Sequence, residues 1–313
     1  MNDIFTLAHL SDFHLSSQHK VKVRDLLNKR IFGYLKWRLH RGSEHSRGVL
    51  EALLGDLQIT SPDHIVVTGD LTHLALPAEF LDARNLLDSI GSPSKITVIP
   101  GNHDAYVSTG WNSTLGLLAD YMVSDRSFPS GPGETDSHEI FPSLRIREFV
   151  ALVGLSTARP CGLLLAVGTV GELQLRQLER ILAETGQQRL FRIVLLHHPP
   201  LPSLVSWRKR LTDSEALRLI LAQQGVELVL HGHAHRGSQG HIDTIAGEAR
   251  TLGVTSSTAL GRSEKHRGRY HIYRLKMNPH SWEMAVSVRC YSPSSESFFE
   301  ETESQVVLPR PVV

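Results

Sequence analysis

The stretch VELVLHGHAH, residues 226–235, carries three histidines in six positions directly after a nonpolar run. Core packing does not require three imidazoles so close together, whereas neutral imidazole is a common ligand for metal ions. The nonpolar run has the length of a buried strand, so the histidines would follow its carboxyl end. A metal site at this strand end would need further ligands from other parts of the chain.

Short nonpolar, β-branched segments alternate with helical patterns over most of the chain. The candidate strands are residues 5–10, 64–68, 96–99, 149–155, 191–196 and 227–230, and the candidate helices are 48–58, 78–90, 172–184 and 213–224. This alternation favours an α/β layered fold. After Leu252 the strand-like stretches 269–277 and 282–291 follow without clear helices, which predicts a mostly antiparallel sheet.

Polar clusters follow five of these candidate strands. They are SDFH (11–14), TGDLTH (68–73), PGNHD (100–104), LLHHPP (195–200) and HGHAH (231–235). Each cluster alone is weak, because a turn or a helix cap explains it equally well. Together they place carboxylate, amide and imidazole groups past the carboxyl ends of the strands, where we expect them to meet along one edge of one sheet.

The residue types in these clusters suit a pair of divalent ions. Carboxylate, amide oxygen and imidazole bind Mn, Fe, Zn, Co or Ni, and no thiolate is offered. Asp12 and His14 project the same way from an extended backbone, so both can reach one ion. Asp70 can bridge two ions about 3.5–4 Å apart, which would acidify a shared water for in-line attack on a phosphoester. His103 could donate a proton to the leaving oxygen, and Asp104 would orient its imidazole.

The order DxH, GD, GNHD, H, GHxH resembles the calcineurin-like metallophosphoesterase superfamily, from about Leu7 to His235. This resemblance implies a four-layer α/β fold, a β-sandwich of two mixed sheets flanked by helices, in place of an open sheet. It assigns one metal to Asp12, His14 and His235, the bridge to Asp70, the other metal to Asn102, His197 and His233, and proton donation or transition-state stabilisation to His103. It also selects His197 over His198, because the family's ligand is the first histidine of HHxP.

Two further histidines lie beside these motifs. His231 falls one position outside GHxH and is predicted to support the ligands or the fold. His73 follows the GD motif, where it would either approach the substrate or serve the structure.

The resemblance further implies the reaction and the cofactors. We expect two divalent ions (Mn, Fe or Zn) and hydrolysis of a phosphodiester, as in bacterial cyclic-nucleotide and glycerophosphodiester phosphodiesterases. The alternative is a pyrophosphatase acting at a membrane surface on a UDP-linked acylated glucosamine. Two further alternatives are a nuclease, which the low aromatic content disfavours, and a scaffold without catalysis, which the complete ligand set disfavours.

The composition limits the binding partners and the cellular location that we expect for the protein. Lys and Arg number 33 against 32 for Asp and Glu, so no overall charge attracts nucleic acid. The two cysteines, Cys161 and Cys290, form neither a disulfide framework nor a thiolate metal site. The first residues lack a secretory signal and the nonpolar runs are too short to span a bilayer, so we expect a cytoplasmic location.

Residues 20–41, KVKVRDLLNKRIFGYLKWRLHR, form a basic amphipathic segment. Its cations are Lys20, Lys22, Arg24, Lys29, Arg30, Lys36, Arg38 and Arg41, against the single acid Asp25. Such a helix could bind the inner membrane surface, cover an anionic substrate, or pack on the domain with its basic side in solvent.

We predict one domain over residues 1–291 that contains this insertion. A second insertion, 108–143, would form either a lid over the site or a surface loop. A C-terminal tail would follow over residues 292–313.

Overall fold

The computed structural model describes residues 4–15, 21, 23–26, 28–40, 46–125, 140–261 and 263–310, with backbone alone at 23, 24 and 36–40. The strands are β1 (Ile4–Leu10), β2 (His64–Val67), β3 (Ile96–Val98), β4 (Ser143–Arg147), β5 (Val150–Gly154), β6 (Phe191–Leu195), β7 (Leu228–His231), β8 (Ser238–Thr244), β9 (Gly247–Gly253), β10 (Arg269–Met277), β11 (Ser281–Ser292) and β12 (Ser297–Pro309). The α-helices are α1 (Arg30–His40), α2 (Arg47–Thr60), α3 (Pro77–Ile90), α4 (Glu172–Gln187) and α5 (Ser214–Gln224). The candidate strands and helices all appear, with ends that differ by at most three residues.

The strands form two six-stranded mixed sheets. The first has the order β12, β11, β10, β1, β2, β3, in which β1, β2 and β3 are parallel. The second has the order β4, β5, β6, β7, β9, β8, in which β5, β6, β7 and β9 are parallel. Parallel neighbours need crossover connections, which α2 and α3 supply to the first sheet and α4 and α5 to the second.

Side chains alternate along β6 between two cores. Phe191, Ile193 and Leu195 belong to the core shared with the first sheet, whereas Val194 packs in a second core with Leu178 of α4. The second sheet is therefore covered by the first sheet on one face and by helices on the other. Helices α2 and α3 add their nonpolar faces to the first core, which completes the predicted four-layer α/β sandwich.

The expectation that all polar clusters lie along one edge of one sheet is wrong. Three clusters follow β1, β2 and β3 of the first sheet, and two follow β6 and β7 of the second. Because the sheets are stacked, these strand ends meet at one end of the sandwich.

Most of the predicted C-terminal tail is a strand of the first sheet, so this prediction is wrong for residues 297–309. β12 pairs antiparallel with β11 over its whole length, from Ser297 opposite Ser292 to Pro309 opposite Ser281. Its side chains are largely polar and exposed. No hydrophobic alternation therefore marks it in the sequence.

Parts of both predicted insertions lie outside the described residues. For the second insertion, they are residues 126–139. In and next to the basic segment, they are residues 16–20, 22, 27 and 41–45, which include the predicted cations Lys20, Lys22 and Arg41. Within the described ranges, no helix has both the length and the nonpolar character needed to cross a membrane.

Candidate metal centre

The loops at this end of the sandwich hold their polar residues in unusual backbone conformations. Five of the seven predicted ligands have positive φ: Asp12 (55°), His14 (49°), Asp70 (52°), His233 (67°) and His235 (51°). Left-handed backbone costs residues with a side chain on the order of 1–3 kcal/mol each, and it persists chiefly where the surroundings impose it at functional sites. The loops are thus shaped to turn these side chains toward one place.

One group of ligand atoms comes from Asp12, His14, His235 and Asp70. The Nε2 atoms of His14 and His235 are 3.2 Å apart, and His235 Nε2 lies 3.3 Å from Asp12 Oδ1. Asp70 Oδ2 lies 3.9 Å from His14 Nε2. All four ligand atoms lie within 4.8 Å of one another, as required of atoms that each bind one ion at about 2.0–2.2 Å.

A second group of ligand atoms shares Asp70 with the first. It contains Asp70, His197 and His233, and His197 Nε2 lies 3.3 Å from Asp70 Oδ2. Asn102 Oδ1 lies 3.1 Å from the same nitrogen of His197. The structure therefore brings together all seven side chains that the sequence indicated, with Asp70 common to both groups.

The GNHD loop fixes the orientation of the Asp70 carboxylate. The backbone N–H of His103 donates to Asp70 Oδ1 at 2.7 Å. Gly101 packs so closely against this carboxylate that a Cβ there would overlap it. Oδ1 is held by the loop in this way, and Oδ2 faces the imidazoles of both groups.

Backbone carbonyls orient three imidazoles of the site. Thr68 O lies 2.7 Å from His197 Nδ1, and Lys209 O lies 3.0 Å from His233 Nε2. Because a carbonyl can only accept, these ring nitrogens carry the protons. His197 Nε2 and His233 Nδ1 are then left with lone pairs toward the site. His103 Nδ1 likewise donates to His73 O at 2.6 Å, so this carbonyl fixes the ring with Nε2 pointing away from it.

Burial and mutual electrostatic interactions shift the pKa values of the buried groups at the site. Burial raises the pKa of the Asp12 carboxyl to about 7, with a further increase from Asp70 that His197 opposes. Burial also opposes ionisation of Asp70, but His197 and His103 outweigh it and hold its pKa below the usual range. The pKa of His197 rises to about 9, because the two carboxylates overcome the effect of burial. The carboxylates thus favour the protonated form of the His197 ring, and a cation bound at Nε2 would take the place of that proton.

The residues present fit divalent metal ions. Asp12 Oδ1 and Asp70 Oδ2 are buried and accept no hydrogen bond of normal geometry from the described residues. Buried carboxylate oxygens without a donor are costly, and a coordinated cation would satisfy both. The oxygen and imidazole donors are those of first-row divalent metals. Asp12, His14, Asp70 and His235 would hold one ion, and Asp70, Asn102, His197 and His233 the other.

The predicted contact between Asp104 and the His103 imidazole is wrong. The buried Asp104 carboxylate instead accepts the backbone N–H groups of Thr72 at 2.8 Å and Gly101 at 2.9 Å, and the Thr72 hydroxyl at 3.0 Å. It therefore joins the loops after β2 and β3. The carbonyl of His73 takes the position at His103 Nδ1 that the sequence assigned to a carboxylate.

Three more histidines of the motifs, His198, His231 and His73, lie in different surroundings near the site. His198 Nδ1 lies 2.7 Å from Thr157 Oγ1 and its Nε2 3.2 Å from Ala166 O, and burial lowers its pKa to about 3. His231 is buried beside Gly232 O and falls in none of the metal-compatible groups of the described residues. His73 stacks on His103 at 5.3 Å and faces the cavity.

A cavity of about 380 Å³ opens onto the two ligand groups. Two lining residues, Lys29 and Phe32, belong to the basic segment for which the sequence left open a position over an anionic substrate. The sequence reasoning missed others, namely Tyr106, Leu163, Leu164, Leu165, Arg208 and Lys209. The basic run WRKR (207–210) could have indicated two of them, whereas nothing in the LLLAV run distinguishes a wall from a strand. None of the described residues of the second insertion lines the cavity, so a lid from this segment stays a prediction.

The basic insertion packs at the rim of this cavity. The Arg30 side chain is buried and donates to Leu74 O at 2.8 Å and Ala75 O at 2.6 Å. A Cβ on Gly33 would come within 2.7 Å of Leu74 Cδ2, so glycine lets α1 approach this loop. Lys29 Nζ donates to Cys161 O at 2.7 Å. Arg30 is thus part of the packed side and not of a basic side in solvent.

Comparison with known proteins identifies one family. The family model for calcineurin-like phosphoesterases matches residues 5–237. A glycerophosphodiester phosphodiesterase of Enterobacter lignolyticus is 32% identical over 98 residues, 31% of this chain and 29% of that protein. A probable cyclic nucleotide phosphodiesterase of Synechococcus is 28% identical over 190 residues, 59% of this chain and 62% of that protein. The chain thus spans less than two thirds of either curated relative.

Solved structures share the fold at low identity. A dimetal phosphatase from Danio rerio aligns with a TM-score of 0.54 and 15% identity, over 98% of this chain and 99% of that one. A purple acid phosphatase from yellow lupin aligns with a TM-score of 0.60 and 11% identity, over 98% and 54%. At these identities the likeness concerns the fold alone.

Proposed function

The chain belongs to the calcineurin-like phosphoesterase family, and on that premise we propose that it hydrolyses phosphodiesters with two divalent metal ions. The observation that carries the proposal is Asp70, whose Oδ2 is shared by two groups of ligand atoms. A single carboxylate between two donor sets is the arrangement of two-metal phosphoester hydrolysis.

Different residues of the chain would bind the ions, orient the ligands and transfer the proton. Bound ions would supply positive charge to the phosphate oxygens and acidify an attacking water. Thr68 O and Lys209 O hold His197 and His233 in the tautomers that present a lone pair. His103 would pass a proton from Nε2 to the leaving oxygen, while its Nδ1 stays bonded to His73 O.

Two observations favour a diester with a small leaving alcohol. Lys29, Arg208 and Lys209 line the cavity and give it positive charge for a phosphate. The two curated relatives are a glycerophosphodiester and a probable cyclic nucleotide phosphodiesterase. We therefore place glycerophosphodiesters and cyclic nucleotides first among substrates, with manganese, iron or zinc as the metal.

Hydrolysis of bis-p-nitrophenyl phosphate tests the proposal. Protein freed of metal by a chelator should be inactive, and Mn²⁺ should restore turnover. His235→Ala should lose most of this activity, because it removes a donor from one group. His241→Ala is the matched control, since His241 is exposed in a separate cluster with Asp243 and Glu248. Activity that survives chelation, or that depends on His241, would contradict the proposal.

A substrate panel on the reloaded protein separates the alternatives. Cyclic AMP, a 2′,3′-cyclic nucleotide, glycerophosphocholine, a UDP-linked acylated glucosamine and single-stranded DNA should be compared by kcat/KM. Preference for the UDP-linked lipid would favour the pyrophosphatase alternative, with contact between residues 20–41 and a membrane. Cleavage of DNA would favour a nuclease, and no hydrolysis of any ester would favour a scaffold.

A further inference from the structure

The cavity that opens onto the ligand groups also has a nonpolar wall. Leu163, Leu164 and Leu165 line it from one side and Phe32 of α1 from the other. Their exposed fractions are 52%, 79%, 38% and 54%. Contact with water is unfavourable for large nonpolar side chains exposed together in one cavity, and such patches mark binding surfaces.

The loop that carries the leucines is held in place. Leu164 has a positive φ of 65°, an unfavourable conformation for a leucine outside a functional site. Hydrogen bonds fix the loop on both sides: Lys29 Nζ to Cys161 O at 2.7 Å, Ala166 N to Arg208 O at 2.9 Å, and His198 Nε2 to Ala166 O at 3.2 Å. These contacts attach the loop to Lys29, to the Arg208 backbone and to His198, on both sides of the leucines.

The side chains of the wall favour contact with an aliphatic group of a ligand. Its side chains are three leucines and one phenylalanine, which offer no hydrogen-bonding groups to the edges of a base. The Tyr106 ring already stacks on His103 at 5.7 Å and lies under the Lys29 ammonium at 4.5 Å. Nonpolar surface in reach of cationic Lys29 and Arg208 fits an amphiphile, with its phosphate at the ligand groups and its chain on the leucines.

We propose that Phe32 and Leu163–Leu165 form a subsite for the alkyl or acyl chain of an amphiphilic phosphodiester. This proposal rests on the proposed function, since the phosphate of the same molecule would lie at the two ligand groups. It narrows that function from phosphodiesters in general to those in which one ester group carries a nonpolar chain, and it thereby ranks such diesters above cyclic nucleotides.

Substrates that differ only in the length of one alkyl group test the subsite. p-Nitrophenyl methyl, butyl and octyl phosphodiesters keep the leaving group constant, and all can be used below the concentration at which micelles form. Each methylene that leaves water should raise kcat/KM about two- to fourfold. In Leu163→Ser/Leu164→Ser this increase with chain length should flatten. Phe32→Ser, on a separate element, should flatten it as well. Leu173→Ser on α4, exposed by 58%, is the matched control and should keep the full increase.

A second readout separates failure of the subsite from failure of the proposed function. Methyl-, butyl- and octylphosphonate should bind the Mn²⁺-loaded protein with affinity that rises with chain length in titration calorimetry. Hydrolysis with no dependence on chain length would overturn the subsite and leave the function standing. No hydrolysis, with phosphonate affinity that rises only when the leucines are present, would overturn the function and support the subsite. Equal affinity for all three phosphonates would overturn the subsite.

Discussion

Of the nine candidate residues at the site, seven supply ligand atoms to the two groups. Asp104 joins two loops, and His103 lines the cavity. Its backbone N–H holds Asp70 and its Nδ1 is bonded to His73 O, while its ring lines the cavity. The backbone and the side chain of His103 therefore have different roles. The backbone positions the shared carboxylate, and the side chain lines the cavity, where a substrate would lie.

His103→Ala should therefore keep the metal ions and lose turnover. Loss of a general acid typically slows a reaction by about 10²–10⁴, and the amide that holds Asp70 remains in the variant. Metal content and kcat for bis-p-nitrophenyl phosphate should be measured together, with the exposed His266→Ala as control. A variant that binds fewer ions than the parent would show that His103 is a ligand and not a proton donor.

Some residue roles were accessible from the sequence and others were not. Asp12, His14 and the GHxH histidines are marked by their spacing and by the strands before them. The errors concern partners from distant loops, because no local pattern links His103 to the carbonyl of His73. The same holds for Asp104, whose carboxylate accepts the backbone N–H groups of Thr72 and Gly101.

At the scale of elements, runs of nonpolar and β-branched residues predicted the central strands, with small errors at the strand ends. β12 was missed because this edge strand buries nonpolar side chains only near its ends, at Phe298 and Leu308, and its middle is polar and largely exposed. Its place in the sheet depends partly on side chains. Arg269 on β10 reaches Glu301 on β12 through two hydrogen bonds, at 2.7 and 2.6 Å.

The Arg269–Glu301 ion pair predicts a pH-dependent contribution to stability. Hydrogen bonds from Arg269 hold the pKa of Glu301 below its ordinary value near 4.5. A carboxyl with a depressed pKa in the folded state stabilises the protein above the unfolded value, and this contribution is lost as the pH falls through the folded value. Glu301→Gln should lower the free energy of unfolding by about 1 kcal/mol at pH 7.

Urea unfolding of the parent and of Glu301→Gln at several pH values measures this contribution. The difference between the two proteins should shrink as the pH falls below about 4.5, where Glu301 of the parent takes up a proton. The exposed neighbour Glu300→Gln serves as control and should differ little from the parent at any pH. A difference for Glu301→Gln that stays constant down to pH 3 would contradict an ionic origin.

For the whole molecule, periodicity predicted the elements but not the way they are divided between two sheets. Sheet order depends on pairings between distant residues, such as β1 with β10, which no local pattern encodes. The two-sheet sandwich followed only from the resemblance carried by the motifs. That division matters for the site, because Asp12 and Asp70 come from the first sheet and His197 and His233 from the second.

Metal content of the purified protein tests the central claim most directly. After reloading with Mn²⁺ and removal of free metal, plasma mass spectrometry should find two ions per chain, since Asp70 serves two donor groups. Asp70→Asn should lose occupancy at both positions, while the exposed Asp243→Asn keeps both ions. One ion or none in the parent protein, or two ions retained in Asp70→Asn, would contradict a shared carboxylate.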